Sequence, residues 1–125
     1  MQPKVVHPAT VAASLPDLWS PRVVAELDDS YVKVAKVRGE FTWHSHAGED
    51  ELFYVLRGCL RIELESGHAV ELREGDVYVV PKGVRHRPSA AEECHLMLIE
   101  RKSTAHTGGE VSALTRTLAE QLRPI

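Results

Sequence analysis

Between Arg22 and Glu100 apolar residues recur mostly at a spacing of two, the period of a half-buried strand. The clearest case is G-C-L-R-I-E-L-E, residues 58–65. There Leu60, Ile62 and Leu64 point one way, and Arg61, Glu63 and Glu65 point the other. R-V-V-A-E-L (22–27), A-V-E-L-R (69–73) and V-Y-V-V (77–80) read as shorter strands. Y-V-K-V-A-K-V-R (31–38) places Val32 and Val34 on one face and Ala35 and Val37 on the other. L-F-Y-V-L-R (52–57) is apolar on both faces, as a strand packed on both sides would be. Turn chemistry separates these runs at Asp28-Asp29-Ser30, Ser66-Gly67-His68 and Glu74-Gly75-Asp76. P-K-G-V-R-H (81–86) reads as a loop that leads into a further strand and is closed by His86-Arg87-Pro88. E-C-H-L-M-L-I-E (93–100) is then the last strand.

The period changes from Glu110 onward. Val111, Leu114, Leu118 and Leu122 fall at helical spacings and predict a C-terminal helix of about three turns over 110–125, with Thr107 as a candidate cap. Residues 1–21 read as an N-terminal arm, in which Pro16 interrupts a short helical stretch and Leu15, Leu18 and Trp19 cover one end of the core. About seven or eight short strands without intervening helices predict an all-β antiparallel sandwich or small barrel over 22–109. A βαβ fold is excluded, because no helix-length segment separates the strands.

The chain of 125 residues suffices for one domain with a real core and falls short of two. Its net charge is -3 and no Lys/Arg run stands out, so no nucleic-acid footprint is expected. No apolar run approaches the ~20 residues of a membrane helix. M-Q-P-K-V-V-H-P-A-T lacks the apolar core of a secretory signal, so a cytoplasmic location is the expectation. Cys59 and Cys94 read as two reduced, buried thiols.

Candidate chemistry sits mainly in G-E-F-T-W-H-S-H-A-G-E-D-E-L-F-Y-V-L-R-G, residues 39–58. His44 and His46 are one residue apart, so on an extended backbone both rings leave the same face. Glu51 follows at the start of an apolar run, and His86 lies past Pro81-Lys82-Gly83. Three imidazoles and one carboxylate suit one divalent transition metal (Mn, Fe, Co, Ni, Cu or Zn) better than Ca or Mg, which prefer oxygen shells. On an octahedral ion this set would leave two positions for water or substrate. Glu49 and Asp50 adjoin Glu51, and read as solvated loop acids or as acid–base groups. Glu49 and His95 are the candidate proton carriers, His95 because an imidazole titrates near neutrality. Packing is the competing reading of His95, and His7, His68 and His106 read as surface residues. Arg57, Arg85 and Arg87 would form an anion site if they cluster.

These residues resemble the two signatures of the cupins, and in particular of small single-domain proteins described as mannose-6-phosphate-isomerase-like. Gly39, His44, His46, Glu51 and Gly58 match the first, with a leading gap of four residues where five is usual. Gly75, Pro81, Gly83 and His86 match the second, although Ala90 stands where an asparagine is frequent. The resemblance covers residues 39 to 90 by motif and about 30–100 by strand pattern. It implies a double-stranded β-helix, or jelly-roll barrel, holding one metal near its open end, and a homodimer. It favours His44, His46, Glu51 and His86 as the ligands. The implied activity is that of a metal-dependent enzyme on a small polar, sugar-like substrate, with isomerisation ranked first. Dioxygenation is the sister expectation, and a non-catalytic binding or sensing protein is the third.

Overall fold

A computed structural model describes residues 3–125, so the first two residues of the expected arm lie outside the described ones. The order is α1 (Pro8–Ser14), β1 (Arg22–Leu27), β2 (Ser30–Glu40), β3 (Glu51–Arg57), β4 (Cys59–Leu64), β5 (Ala69–Arg73), β6 (Val77–Val80), β7 (His86–Arg101) and α2 (Leu118–Gln121). All ladders are antiparallel. No helix among these is long and apolar enough to cross a membrane.

The long strand β7 organises the sheet. Its first half pairs with β4, with Leu64 opposite His86. Its second half lies between β2 and β3, with Val34 opposite Met97 and Glu51 opposite Glu100. The expected break after Pro88 does not occur. Proline's fixed φ suits extended chain, and the Pro88 carbonyl accepts from the Phe41 amide at 2.9 Å. The topology is that of a jelly roll, but the sheet is not closed into a true barrel. β6 pairs only with β3 and β5 only with β4, and no ladder among the described residues joins their free edges. These strands, of 4 and 5 residues, are the shortest in the sheet.

The interior is filled from one face of each strand. Val37, Phe53, Val55, Leu60, Ile62, Leu72, Leu96 and Leu98 form the main core. The other face of β2 carries Val34, which packs with Ala12 and Leu15 of the N-terminal segment. Pro8 opens α1 and the His7 imidazole accepts from the Thr10 amide, so a short helix forms there despite the missing proline donor. Leu15 and Trp19 are buried as expected, whereas Leu18 is 41% exposed.

The C-terminal expectation needs correction. Only one helical turn forms, α2, capped by Thr117 and Glu120 in a reciprocal capping box. Residues 110–117 are not helical because side chains compete for the backbone: the Ser112 amide donates to Thr115 Oγ1 and the Leu114 amide to Ser112 Oγ. Val111 is 85% exposed and Leu118 and Leu122 are largely exposed, so the expected apolar stripe is not the buried one. Gln121 and Thr107 are buried instead, and Thr107 bonds Thr115 rather than capping a helix. The thiols also differ from expectation: both are free, but Cys59 is exposed, and only Cys94 is buried, its pKa pushed up to about 12 by burial and then by Cys59.

Gly58 fixes the β3–β4 turn. Its φ is +89°, and a side chain there would place Cβ 2.9 Å from the Glu93 carbonyl oxygen. Gly58→Ala should therefore lower stability by about 1–3 kcal/mol. Urea unfolding would show this as a lower midpoint at unchanged m-value, and an unmoved midpoint would refute the close contact.

Candidate metal centre

The segment 41–50 is not a strand. Besides the Phe41–Pro88 bond, it meets β7 in an antiparallel bridge, in which the His44 amide donates to the His86 carbonyl at 3.0 Å and the His86 amide to the His44 carbonyl at 2.9 Å. The Gly83 amide donates to the His46 carbonyl, and the Lys82 amide to Asp50 Oδ1 at 2.9 Å. Both histidines of H-S-H thus face inward as the sequence suggests, but the two signature loops hold them rather than a ladder. Glu51 opens β3, in register with Glu100.

His44, His46, Glu51 and His86 converge, with one donor atom from each lying within 4.8 Å of the others, and all four are buried. The tautomers of two rings follow from their outer nitrogens. His44 Nδ1 lies 2.9 Å from the Thr42 carbonyl and His86 Nδ1 2.9 Å from the Val84 carbonyl. Each must donate there, which leaves an Nε2 lone pair for the centre. His46 Nε2 and His86 Nε2 lie 3.4 and 3.5 Å from Glu51 Oε1 without forming hydrogen bonds. Buried, mutually facing lone pairs without partners are what a cation would satisfy. The cluster can coordinate a divalent metal ion, and Glu49 and Asp50 are not in it.

Glu51 is next to a second buried acid. Glu100 Oε1 accepts from the Lys33 ammonium at 2.8 Å, and Lys33 also donates to Gln121 Oε1 at 2.6 Å. Burial would raise the Glu51 pKa, but His46, His86 and Glu100 hold it well below the carboxylate range. Glu100 is pushed well above that range by burial and then by Glu51. The close Lys33 contact pulls Glu100 the other way. Burial and the neighbouring Glu51 outweigh that contact, and Glu100 Oε2 has no hydrogen-bond partner in the fold.

Beside the cluster lies a cavity of about 40 Å³, enough for a few small atoms. Phe53, Leu96, Leu98 and Val37 wall it, and His44, Glu51 and Glu100 supply its polar side. Two segments outside the sheet cover it: Trp19, stacked on Phe41 at 4.8 Å, and His106. His106 is therefore not a surface residue. The sequence pattern gave no sign of Lys33, Glu100, Gln121 or His106. The one available signal was Lys33 sharing the inward parity of Ala35 and Val37, with a parity-matched Glu100 at the end of β7.

The other candidates are placed elsewhere. His95 alternates with the inward Leu96 and faces α1, lining a surface recess with Ala9, Thr10 and Ala13. Its Nε2 contacts Glu93 at 2.8 Å, and it is not brought to the cluster. Glu49 accepts from Ser103 Oγ at 3.3 Å in an exposed contact and does not line the cavity. The arginines do not form an anion site: Arg85 pairs with Glu110, and Arg87 with Glu40 and Glu63. Arg87 also lies over Trp43, 5.4 Å from the ring centre.

An open-ended jelly roll with three inward imidazoles and one carboxylate defines a small β protein with a candidate metal site. Residues 30–100 match the Cupin_2 family, the cupin domain, and the chain belongs to it. A cupin-2 domain containing protein from Shewanella frigidimarina is 44% identical, with a TM-score of 0.75, over 78% of this chain and 95% of that one. The Bacillus subtilis protein YdbB is 34% identical over 79 residues, 63% of this chain and 70% of YdbB. A Ruegeria pomeroyi 3-hydroxyanthranilate 3,4-dioxygenase is 35% identical over 63 residues, 46% of this chain and 35% of that enzyme. The assignment stops at the cupin domain, and these relatives lend the narrower mannose-6-phosphate-isomerase-like resemblance no support.

Burial makes the metal-free fold acid-sensitive. His44 and His106 are each lowered from 6.5 to about 4, chiefly by burial. Below 6.5 the unfolded chain binds protons at these histidines that the fold refuses, so they favour folding less as pH drops. The raised Glu100 opposes this above 4.5, as the fold holds a proton that the unfolded chain releases. Two histidines outweigh one carboxyl, so stability of metal-stripped protein should rise by about 1.4 kcal/mol per pH unit from pH 4.5 to 5.5 and level off towards 6.5, where the unfolded histidines lose their protons. Urea midpoints across that range test it, and a falling trend would contradict the burial of these rings.

Proposed function

We propose that this chain is a metal-dependent cupin enzyme acting on a small organic molecule, with dioxygenation preferred over isomerisation. The observation that carries the reading is the buried four-donor cluster opening onto a mainly apolar cavity. His44, His46, Glu51 and His86 would hold the metal. When bound, it would supply Lewis acidity and, if redox-active, a route for electrons between substrate and dioxygen. The chain's own part is to bury the site, to fix the ligand tautomers through Thr42 and Val84, and to keep Glu51 anionic beside Glu100.

Dioxygenation has the better support for two reasons. A similar stretch occurs in a 3-hydroxyanthranilate 3,4-dioxygenase, although that match spans 35% of the enzyme. The cavity wall of Phe41, Phe53, Leu96 and Leu98 suits an apolar or aromatic body, and Arg85 and Arg87 are already committed to carboxylates. Isomerisation of a sugar-like substrate would want more polar groups on that wall. At about 40 Å³ the cavity is tight for an aromatic substrate, and Trp19 and His106 bound what it can admit. Glu49, next but one to Glu51 in sequence, is the proton carrier this reading retains. His95 has no part in it, because it faces α1. A cytoplasmic homodimer belongs to the same proposal. Exposed Val77 and Val79 on the edge strand β6 offer an apolar face for a second copy.

Anaerobically iron-loaded protein should bind about one ion per chain and consume oxygen with one of a panel of hydroxylated aromatic acids, in an oxygen-electrode assay. His86→Ala should lose the ion and the uptake together. Stoichiometric iron with no uptake across the panel, but metal-dependent aldose–ketose conversion, would return isomerisation to first place. Failure of the wild type to take up Mn, Fe, Co, Ni, Cu or Zn would end the enzyme reading.

A further inference from the structure

The cavity's acceptors are plain, but its donors are few. Glu51 and Glu100 present carboxyl groups, His44 presents a lone pair, and the remaining wall is largely carbon. His106 differs from these. Its Nδ1 accepts from the Arg116 amide at 2.8 Å, so a neutral ring must carry its hydrogen on Nε2. No described residue partners Nε2. The ring lines the cavity and packs on Phe41 at 5.1 Å, while Phe41 meets the His44 ring edge-on at 5.4 Å.

The segment that carries His106 is held from several directions. Thr107 Oγ1 and Thr115 Oγ1 are 2.6 Å apart. Gln121 accepts from Lys33 and donates to the Arg116 carbonyl at 3.1 Å, so the residue that fixes the His106 tautomer is itself tied to the buried Lys33–Glu100 pair. Gly108 sits against the Ser45 carbonyl between two candidate ligands, with φ +60° and no room for a Cβ. Such support sets the ring in one place, which a side chain on a free tail would not have.

We propose that His106 is a substrate-contacting residue: its Nε2–H is a fixed, neutral hydrogen-bond donor to an anionic or carbonyl oxygen of the molecule bound beside the metal cluster. This rests on the metal-dependent reading above and narrows its substrate to one with an oxygen next to the reacting centre. A neutral donor serves such an oxygen without first taking its proton, and a low-dielectric wall strengthens the bond. Burial keeps the ring neutral well below pH 7, consistent with that role.

Azide can test this in cobalt-loaded protein, where the visible cobalt bands report the anion's arrival in the cavity. His106→Phe should keep full cobalt occupancy and weaken azide binding roughly tenfold to a hundredfold. His106→Gln, which can return an N–H to nearly the same place, should restore much of the loss. Equal azide affinity in wild type and His106→Phe at full occupancy would overturn the proposal, as would a wild type that binds cobalt but shows no azide response. A wild type that binds no cobalt would instead defeat the metal reading. Nitrogen-15 NMR of histidine-labelled, zinc-loaded wild type gives a second measurement that survives a misfolded variant. It should show the Nε2–H tautomer for His106, and an Nδ1–H tautomer would overturn the assignment.

Discussion

The interior is arranged around buried donors that face one another without hydrogen-bond partners. His46 Nε2, His86 Nε2 and Glu51 Oε1 are all in this state. Each unsatisfied buried polar atom costs about 1–3 kcal/mol. A fold gains nothing from such a cluster unless something else repays it, and a divalent cation is the simplest agent that satisfies all of them at once. The surrounding structure makes sense as the frame for that cluster. The His44–His86 backbone bridge joins the two signature loops, and outer carbonyls from Thr42 and Val84 orient two of the rings. β3 delivers Glu51 from the sheet itself.

The same constraint extends outward through Glu100. A second carboxyl beside Glu51 would repel it if both were charged, so the interior needs a compensating cation or a retained proton. The fold uses Lys33 for the first, and burial beside Glu51 favours the second at Glu100. Lys33 is 1% exposed, and a second of its three N–H donors is taken by Gln121. That explains why a glutamine, rather than one of the neighbouring leucines, is the buried residue of α2. Removing one partner of such a buried pair typically costs about 3–5 kcal/mol.

What could be read from the sequence divides along physical lines. β1, β5 and β6 were legible to the residue because period-two patterning and turn residues are local signals. The four clustered residues were legible because two motifs fix their spacing, and the choice of Glu51 over Glu49 and Asp50 agrees with its position at the start of β3. The continuity of β7 through Pro88 was not legible, since a proline reads as a break unless the partner strand is known. The C-terminal helix was misread because Val111, Leu114, Leu118 and Leu122 keep helical spacing, while the decisive bonds are those of Ser112, Thr115 and Gln121. A buried lysine finds its acceptors only in three dimensions. The places of His95 and His106 were illegible for the same reason: alternation along β7 turns His95 towards α1, and no local pattern reports the fold-back that brings His106 beside the cavity.

An unclosed sheet also accounts for how the site is covered. A closed barrel would wall its own interior, but here β5 and β6 leave free edges and the open end needs other material. Residues around Trp19 supply one part, fixed by the Trp19 indole donating to the Arg38 carbonyl at 2.9 Å and by stacking on Phe41. Residues 106–121 supply the other, fixed through Lys33 and the close seat of Gly108 on Ser45. Neither belongs to a ladder: Leu18 makes one isolated bridge to Lys36 of β2, and residues 106–121 are tied in through Lys33 and Gly108. The sheet and the two signature loops therefore hold the donor cluster, and the covering segments determine what reaches it. Substrate choice in such an arrangement resides in the covering segments rather than in the four donors, which is why the motifs that reveal the metal chemistry say so little about the molecule it acts on.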